Sequence, residues 1–361
     1  MKIGIDGRLW SESGVGRYVR NLVNGLESRK THHEFTIFLT SNKYDEISFQ
    51  NRKIKKVRAD VRWHTFSEQW EFKKIIDREK LGLMHFPYFS YPVFYNRPFV
   101  ITIHDLIIDH FPTGMASSLP LPLYYLKRFG YQQIISTAVR NSAKIIAPSY
   151  ATQKELYDHY KKSDGKIEVI HEGFDPMISK KGNSALVSKK YILYVGNAYP
   201  HKNLENLISA YNILSEISDI ELVCIGREDF FYKRFEKKAP KGVHFLHKVD
   251  DSTLFEYYTN ATIVAMPSLM EGFGLPLLEA MSLSCPVVCS DIAVFHEIGN
   301  DAVVYFDAKS PQSISGVIQK VLSDQKLRLD MVKKGLSQSK KFSWEECVRK
   351  TLHVYESCNS V

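Results

Sequence analysis

Two glutamates, Glu271 and Glu279, stand eight positions apart in the stretch AMPSLMEGFGLPLLEAM, residues 265–281. Gly272 and Gly274 lie between them. Glycine has no Cβ, so a ligand can approach the backbone closely at these positions. The types and spacing of these residues predict a turn in which two carboxylates border a binding crevice.

The sequence on either side of this turn predicts a strand before it and a helix after it. The apolar run ATIVAMP (residues 261–267) has the length and composition of a buried strand. LPLLEAM follows, with Pro276 where a first-turn proline loses no hydrogen bond, and Glu279 is expected in that first turn. Because the first N–H groups of a helix have no partner within it, this turn is a potential phosphate site.

Other polar residues are expected at ends of strands. PFVITI (residues 98–103) reads as a buried strand that ends at His104 and Asp105, where open α/β sheets bind ligands. Near the N-terminus, strand KIGID precedes the loop SESGVGRY and a helix expected to begin near Gly16. The third glycine of a dinucleotide fingerprint would fall on Val19, which argues against a nicotinamide site.

Composition indicates a folded, two-domain protein. The chain has 361 residues, of which 44% are hydrophobic and 12% aromatic, enough for two cores. Its five cysteines show no metal-ligand spacing, so we expect a reducing cytosol, no disulfide framework and no structural zinc. The N-terminus has no signal-peptide pattern, and no apolar run approaches the ~20 residues that a membrane-spanning helix needs.

The net charge of +8 is concentrated in the first half. Residues 1–175 hold 26 Lys and Arg against 19 Asp and Glu, whereas residues 176–361 hold 22 against 21. A basic half suits nucleic acid, an anionic membrane surface or a polyanionic substrate. No nucleic-acid-binding motif accompanies the charge, so nucleic acid is the weaker interpretation.

Strand and helix patterns alternate through both halves of the chain. This alternation predicts two doubly wound, Rossmann-like α/β domains with parallel sheets, residues 1–175 and 176–343. Ligands bind at the carboxyl ends of such strands, so the expected site is the cleft that the two domains face.

With these residues in view, the chain resembles the retaining glycosyltransferases of family 4, whose signature is a pair of glutamates separated by seven residues. The resemblance extends over SGVGRY, ITIHDL, VIHEGFDP, YVGNAYPHKN, HFLHKVDDSTLFEYY and FSWEE. It implies the GT-B fold, with residues 344–361 forming a helix that returns to the first domain. The first half would face the acceptor, and the second would bind the nucleotide sugar.

The resemblance implies a catalytic role for three side chains. Lys202, in HKN, would contact the donor diphosphate, and Glu271 would hold the donor sugar. His104 would meet the sugar near its C6 hydroxyl. Retention of configuration would follow from front-side attack, with the leaving phosphate accepting the proton of the acceptor. A double displacement with Glu271 as nucleophile is the less favoured alternative.

The resemblance also implies a donor-binding set. Glu279 would bind the ribose hydroxyls, and Gly16 would offer a backbone N–H to the diphosphate. Many family members carry an Arg where this chain has Asn197, so one cation on the diphosphate is missing. The whole set comprises Gly14, Gly16, Asn197, Val249, Asp250, Gly272, Phe273, Gly274, Leu275 and Glu279, with Val249 and Asp250 lining the base.

We expect no metal and no cofactor, since the sequence has no Asp-x-Asp pair at a strand end. The expected activity is transfer of a hexose, preferentially mannose from GDP-mannose, to a glycan or polyprenyl-diphosphate-linked acceptor in polysaccharide or lipopolysaccharide biosynthesis. Such an enzyme would be cytoplasmic and peripheral on the inner face of the membrane. The alternatives are a non-catalytic GT-B scaffold subunit of a polysaccharide assembly complex and a sugar-nucleotide epimerase.

Overall fold

The computed structural model describes residues 1–12, 14–111, 121–174 and 189–358. Their strands form two sheets, one of seven strands and one of six, and every strand pair in both sheets is parallel. Parallel sheets need helical crossovers, which explains the alternation in the sequence. The predicted fold class, two doubly wound α/β sheets, is confirmed.

The first sheet has the strand order β3-β2-β1-β4-β5-β6-β7. The chain leaves in opposite directions from β1 and β4, so their carboxyl ends border a topological switch point, where doubly wound folds bind ligands. The strands are β1 (Lys2–Asp6), β2 (Glu34–Leu39), β3 (Ile54–Arg58), β4 (Leu83–Phe86), β5 (Phe99–Thr102), β6 (Lys144–Ala147) and β7 (Ile167–Val169). The helices around it are α1 (Gly14–Glu27), α2 (Ser41–Glu46), α3 (Lys73–Arg78), α5 (Leu121–Asn141), α6 (Tyr150–His159) and α14 (Trp344–Ser357).

The second sheet has the order β10-β9-β8-β11-β12-β13, with its switch point between β8 and β11. The strands are β8 (Tyr191–Val195), β9 (Glu221–Ile225), β10 (Val243–Leu246), β11 (Ile263–Met266), β12 (Val287–Ser290) and β13 (Val304–Phe306). The associated helices are α4 (Ile107–His110), α7 (Leu204–Ser215), α8 (Phe230–Glu236), α9 (Asp251–Asn260), α10 (Leu275–Ser282), α11 (Ala293–Gly299), α12 (Pro311–Ser323) and α13 (Gln325–Ser339).

Backbone contacts divide the chain into two compact units. Unit 1 comprises Met1–Leu106, Leu121–Glu172 and Trp344–Val361, and unit 2 comprises Ile107–Pro120 and Gly173–Ser343, each so far as it is described. The boundary that the sequence predicts, at residues 175–176, lies outside the described residues.

The last helix, α14, belongs to the core of unit 1. Buried Tyr18 of α1 lies edge-on to Trp344, with ring centroids 6.2 Å apart. The Tyr355 hydroxyl lies 2.6 Å from Nδ1 of His85 in β4, and both side chains are fully buried. A buried polar group without a partner is costly, so this bond holds α14 against the sheet in one register.

The helix pattern was misread in several places. The sequence SEQWEFKKIIDREKLG (residues 67–82) has the pattern of a single amphipathic helix, but it begins as a π-helix at Glu68–Phe72 and ends with α3 at Arg78. Helices α2, α6, α8 and α11 were not predicted. The signal for α6 is present, because the Ser149 side chain accepts a hydrogen bond from the backbone N–H of Thr152. In the described ranges, the structure has no helix of the length and hydropathy needed to cross a bilayer.

We predict that Gly25→Ala destabilises unit 1. A Cβ at Gly25 of α1 would lie 2.6 Å from a methyl group of Val348 in α14. Such overpacking costs about 1–3 kcal/mol, which exceeds the ~1 kcal/mol that alanine gains in a helix. Urea denaturation of Gly25→Ala should therefore show a lower free energy of unfolding.

The double variant Gly25→Ala/Val348→Ala should be at least about 1 kcal/mol more stable than the sum of the single changes predicts, because the new methyl fills the space vacated by valine. Gly130→Ala is the control, because a Cβ there meets nothing within 4 Å in the helix α5. It should leave stability equal or raise it. Strict additivity of the two substitutions would contradict the predicted clash.

Candidate active site

In unit 2, Lys202, Asn197, Glu271 and the two glycines that the sequence predicts for the site lie on the loops that follow β8 and β11. Val249 and Asp250 follow β10 instead, and Leu275 and Glu279 belong to α10. Strands β8 and β11 pair directly, with Ile192 opposite Ile263 and Leu193 opposite Val264. Since both run in the same direction, their following loops leave the sheet at one edge. The HKN loop follows β8, and the loop with Glu271 follows β11.

Lys202 and Glu271 form an ion pair at this edge, with 2.6 Å between Nζ and Oε1. The side chains are 17% and 8% exposed, so water screens the pair only partly. The Ser268 hydroxyl donates a second hydrogen bond to the same carboxylate oxygen, at 2.7 Å. The backbone also joins the loops, since the N–H of Leu269 donates to the carbonyl of His201 at 2.7 Å. The cation and the carboxylate are thus held in place by contacts within unit 2.

Asn203, next to Lys202, fixes the position of the HKN loop. Its backbone is left-handed, with φ of 57°, a conformation that asparagine tolerates better than most residues. Its side-chain amide donates to the carbonyl oxygens of Pro267, at 2.9 Å, and Ala308, at 2.7 Å. The sequence analysis assigned no role to this residue, although it immediately follows the lysine.

The glycine turn before α10 needs glycine at Gly274. Its φ of 96° is left-handed, and a Cβ there would lie 2.9 Å from the ring of Phe295. Leu275 then begins α10, with Pro276 in its first turn, as the sequence predicted. Phe273 is buried, and its ring lies 5.9 Å from that of Phe342. Gly272 completes the turn before it.

Glu279 is the fifth residue of α10, one turn later than expected. It is buried, and the hydroxyl of Tyr258 in α9 donates to its Oε2 at 2.7 Å. The structure thus gives this carboxylate a partner that the sequence analysis did not identify. The spacing of the two glutamates gave no signal for Tyr258, because Tyr258 lies outside that stretch, on the helix before β11.

Two predicted donor-binding positions have structural hydrogen bonds. The Asn197 side-chain oxygen accepts from the backbone N–H of Tyr199 at 3.3 Å. Asp250 caps α9, accepting from the N–H of Thr253 at 2.7 Å, and these hydrogen bonds lower the pKa of its carboxyl group. A contact of Val249 and Asp250 with a nucleotide base stays a prediction.

In unit 1, the two glycines of the SGVGRY loop differ in what they need. A Cβ at Gly16 would approach the carbonyl oxygens of Leu9 and Trp10 to within 2.7 and 2.8 Å, so only glycine fits there. A Cβ at Gly14 would meet nothing within 4 Å. Gly16 thus has a packing reason to be glycine, whereas Gly14, the first residue of α1, borders open space.

His104 lies just beyond β5 in unit 1, and both of its ring nitrogens have partners. Nδ1 lies 3.0 Å from Oε1 of Glu172, and Nε2 lies 3.0 Å from the carbonyl oxygen of Pro87. A carbonyl and a carboxylate both accept, so this arrangement is satisfied by an imidazolium that donates from both nitrogens. Burial alone would lower the pKa of His104. The pKa is nevertheless raised, chiefly by the hydrogen bond to Glu172 and by the negative charge of that carboxylate. The hydrogen bond to the carbonyl of Pro87 and the charge of Asp105 raise it further.

The ring of Tyr18 closes a third side of His104, with centroids 5.0 Å apart. Glu172 ends the second of the three segments of unit 1, and its segment VIHEGFDP gave no role for it from the sequence alone. Because both ring nitrogens are engaged, a sugar hydroxyl would have to replace one of these partners. The contact of His104 with the sugar therefore stays a prediction, and Glu172 is the residue that positions the ring.

We predict that Glu172 keeps His104 protonated. In wild-type protein with labelled histidines, the NMR resonance lost in His104→Gln should titrate above the ordinary pKa of 6.5. In Glu172→Gln the amide oxygen still accepts the Nδ1 hydrogen bond, but the negative charge is gone, so that pKa should fall.

His85 provides an internal reference, because burial and the nearby charge of His104 lower its pKa to about 3, and it should stay neutral throughout. Glu168→Gln is the matched control, since it removes a carboxylate that pairs with Lys144 at 2.8 Å on neighbouring strands. An unchanged His104 titration in Glu172→Gln would show that the carboxylate does not set its charge.

Comparison with known proteins covers both halves of the chain. Residues 13–177 match the family described as Glycosyltransferase Family 4, and residues 178–338 match the one described as Glycosyl transferases group 1. The chain is 26% identical over 383 residues to O-antigen chain mannosyltransferase B of Escherichia coli, covering 95% of this chain and 96% of that protein.

Solved structures share the whole fold at low sequence identity. Sucrose-phosphate synthase from Thermosynechococcus elongatus aligns with a TM-score of 0.79 at 17% identity, covering 100% of this chain and 99% of that one. Anabaena HepE, in complex with UDP and glucose, aligns with a TM-score of 0.75 at 16% identity, covering 99% and 100%. The two family matches and the two parallel sheets agree: the chain belongs to glycosyltransferase family 4, group 1, and has the GT-B fold.

Proposed function

We propose that the protein is a retaining, metal-independent hexosyltransferase that moves a hexose from a nucleotide sugar to a lipid-linked saccharide. The observation that carries this proposal is the Lys202–Glu271 ion pair at the switch point of the second sheet. The pair provides one cation for a phosphate and one carboxylate for sugar hydroxyls, within a single side-chain contact. Unit 2 would hold the nucleotide sugar, and unit 1 would face the acceptor.

Charge separation in the reaction explains why a lysine is needed. When the bond from the anomeric carbon to the phosphate breaks, the sugar ring gains positive character and the departing nucleoside diphosphate gains negative charge. A preorganised cation stabilises that developing charge without reorganising during the step. Lys202 would supply it, helped by the first N–H groups of α10. With Asn197 in place of a second cation, Lys202 would carry more of this stabilisation.

The carboxylates would position the donor. Glu271 would leave Lys202 to the diphosphate and accept hydrogen bonds from sugar hydroxyls, while Ser268 continues to donate to it. Glu279 would hold the ribose, with Tyr258 fixing its orientation. In front-side attack, the leaving phosphate accepts the proton of the acceptor hydroxyl as the new glycosidic bond forms on the same face. The contact of His104 with the sugar is part of the same proposal.

Mannose from GDP-mannose is the proposed donor, supported by similarity to an O-antigen chain mannosyltransferase. The proposed acceptor is a polyprenyl-diphosphate-linked glycan, which would place the enzyme on the inner face of the cytoplasmic membrane. The excess of positive charge in the first half supports this location, because anionic lipid attracts basic surfaces.

We predict that two substitutions at this site affect different kinetic constants. Lys202→Ala should lower kcat by roughly 10²–10³, the scale seen when one donor to a developing anion is lost. Glu279→Gln should raise the KM for the donor with little change in kcat, because ribose does not change charge during the reaction. Steady-state kinetics on folded variants measures both.

Lys189→Ala is the matched control for charge removal. Lys189 pairs with Asp219 at 2.7 Å just before the start of β8, at the sheet edge opposite the proposed site, and its loss should leave both constants unchanged. If Lys202→Ala alters only KM, or Glu279→Gln lowers kcat as deeply as Lys202→Ala, the two assigned roles are wrong.

The transfer reaction itself is tested by product formation. Free GDP should accumulate from GDP-mannose only when a polyprenyl-diphosphate-linked acceptor is present, and NMR of the product should show the donor's anomeric configuration retained. GDP-mannose should also raise the melting temperature; a ligand at ~100 times its Kd adds about 2.7 kcal/mol of stability. An altered sugar still attached to its nucleotide would indicate epimerisation, and no turnover with any sugar nucleotide would indicate a scaffold.

A further inference from the structure

Half of the exposed large hydrophobic side chains among the described residues lie in two regions of unit 1, residues 66–94 and helix α5. We call this set of seven, out of fourteen, the apolar surface. Single exposed apolar residues are common, but a concentration of them marks an interaction site. The apolar surface comprises Phe66, Trp70, Phe94, Leu123, Tyr125, Leu126 and Phe129.

The elements that carry the apolar surface pack against one another. The ring of Phe89 contacts His64, with centroids 5.0 Å apart, and Tyr131 of α5, at 4.6 Å. The Gln69 side chain, in the π-helix, accepts from the backbone N–H of Val93 at 2.7 Å. Trp70 stacks on Phe94 with centroids 4.9 Å apart. The two regions are therefore joined through shared side chains within one unit.

Helix α5 presents an apolar face with basic residues beside it. Leu123, Leu126 and Phe129 recur at three-residue spacing, and Tyr125 lies beside Phe129 one turn back, so all four share one side of the helix. The 21 residues of α5 include Lys127, Arg128 and Arg140 but no Asp or Glu. Exposed aromatic and leucine side chains beside a lysine suit the boundary between lipid headgroups and acyl chains.

Two basic stretches of the first half, NRKIKKVR (residues 51–58) and FKKIIDREK (residues 72–80), fit such a surface less well. Lys55 pairs with Glu79 at 2.7 Å, and Arg58 pairs with Asp45 at 2.6 Å. Lys73 pairs with Asp77 at 2.6 Å. Carboxylates of the same unit therefore compensate much of that charge.

We infer that the apolar surface, with the exposed Lys127 of α5 beside it, is where the protein docks on an anionic membrane. Its occupant is lipid: the aromatic rings and leucines enter the boundary between headgroups and acyl chains, and Lys127 attracts anionic headgroups. The inference deepens the proposed function, because it gives unit 1 a fixed orientation toward a lipid-linked acceptor. Docking on the membrane requires neither the sugar donor nor the acceptor to be bound.

Trp70 is a native reporter of this docking. Adding vesicles of phosphatidylcholine mixed with phosphatidylglycerol should shift tryptophan emission to shorter wavelength, and brominated lipid should quench it. Trp10 and Trp344 are buried, and Trp63, in the same segment, is half-buried, so Trp70→Phe should remove the part of the change that Trp70, 55% exposed, contributes. Phosphatidylcholine alone should bind more weakly, and high salt should weaken binding to the anionic vesicles, as expected for screened surface charge.

Substitutions distinguish insertion from mere attraction of charge. Leu126→Ser/Phe129→Ser removes apolar area and keeps every charge, so the affinity for anionic vesicles should fall at least about tenfold, given the ~0.8 kcal/mol that each buried CH₂ contributes. Leu329→Ser is the matched control, because Leu329 is as exposed as Leu126, at 65%, but lies on α13 of unit 2. Its vesicle affinity should equal that of wild type.

Three results would overturn the inference. Wild-type protein could fail to sediment with anionic vesicles, or the double serine variant could bind as well as Leu329→Ser. Alternatively, sedimentation without lipid could show self-association that the double variant abolishes, which would assign the surface to a second copy of the chain. None of these results would touch the transferase proposal, since product formation is measured separately.

Discussion

The parallel pairing of β8 with β11 is the constraint on which the proposed donor site depends. In a parallel sheet, neighbouring strands end at the same edge, and at a switch point their connections leave in opposite directions. The HKN loop and the loop with Glu271 therefore emerge side by side, although Lys202 and Glu271 are 69 residues apart in sequence. Asn203 and Gly274 then fix the shape of the two loops.

In unit 1, buried hydrogen bonds join the last helix to the sheet and to α1. Tyr355, His85, Thr102 and Tyr18 are joined by hydrogen bonds across α14, β4, β5 and α1. His85 stays neutral there, since burial and the charge of His104 lower its pKa to about 3. His104, just beyond the adjacent strand, has the opposite shift because a carboxylate faces it. The partner of each ring, and not burial alone, decides its charge.

Much of this architecture could be predicted from the sequence because parallel strands are continuous apolar runs with a clear boundary. The strand, glycine turn and helix around Gly274 follow from residue types at fixed positions. The partners of the site residues could not be predicted, since Tyr258 and Glu172 meet Glu279 and His104 only after strand order is known. The π-helix at Glu68–Phe72 could not be predicted for a similar reason. Its register depends on tertiary contacts such as the buried hydrogen bond that Arg8 donates to Glu68.

The contact between Lys202 and Glu271 has a consequence for selectivity. In the ion pair each charge neutralises the other, so a free anion would find little net attraction there. An anion that captures the lysine alone leaves a nearly buried carboxylate with Ser268 as its remaining donor, which is unfavourable. A ligand that brings both an anion and hydroxyl groups compensates both partners at once. Under the proposed function, the pair would therefore favour a sugar joined to a phosphate over either piece alone.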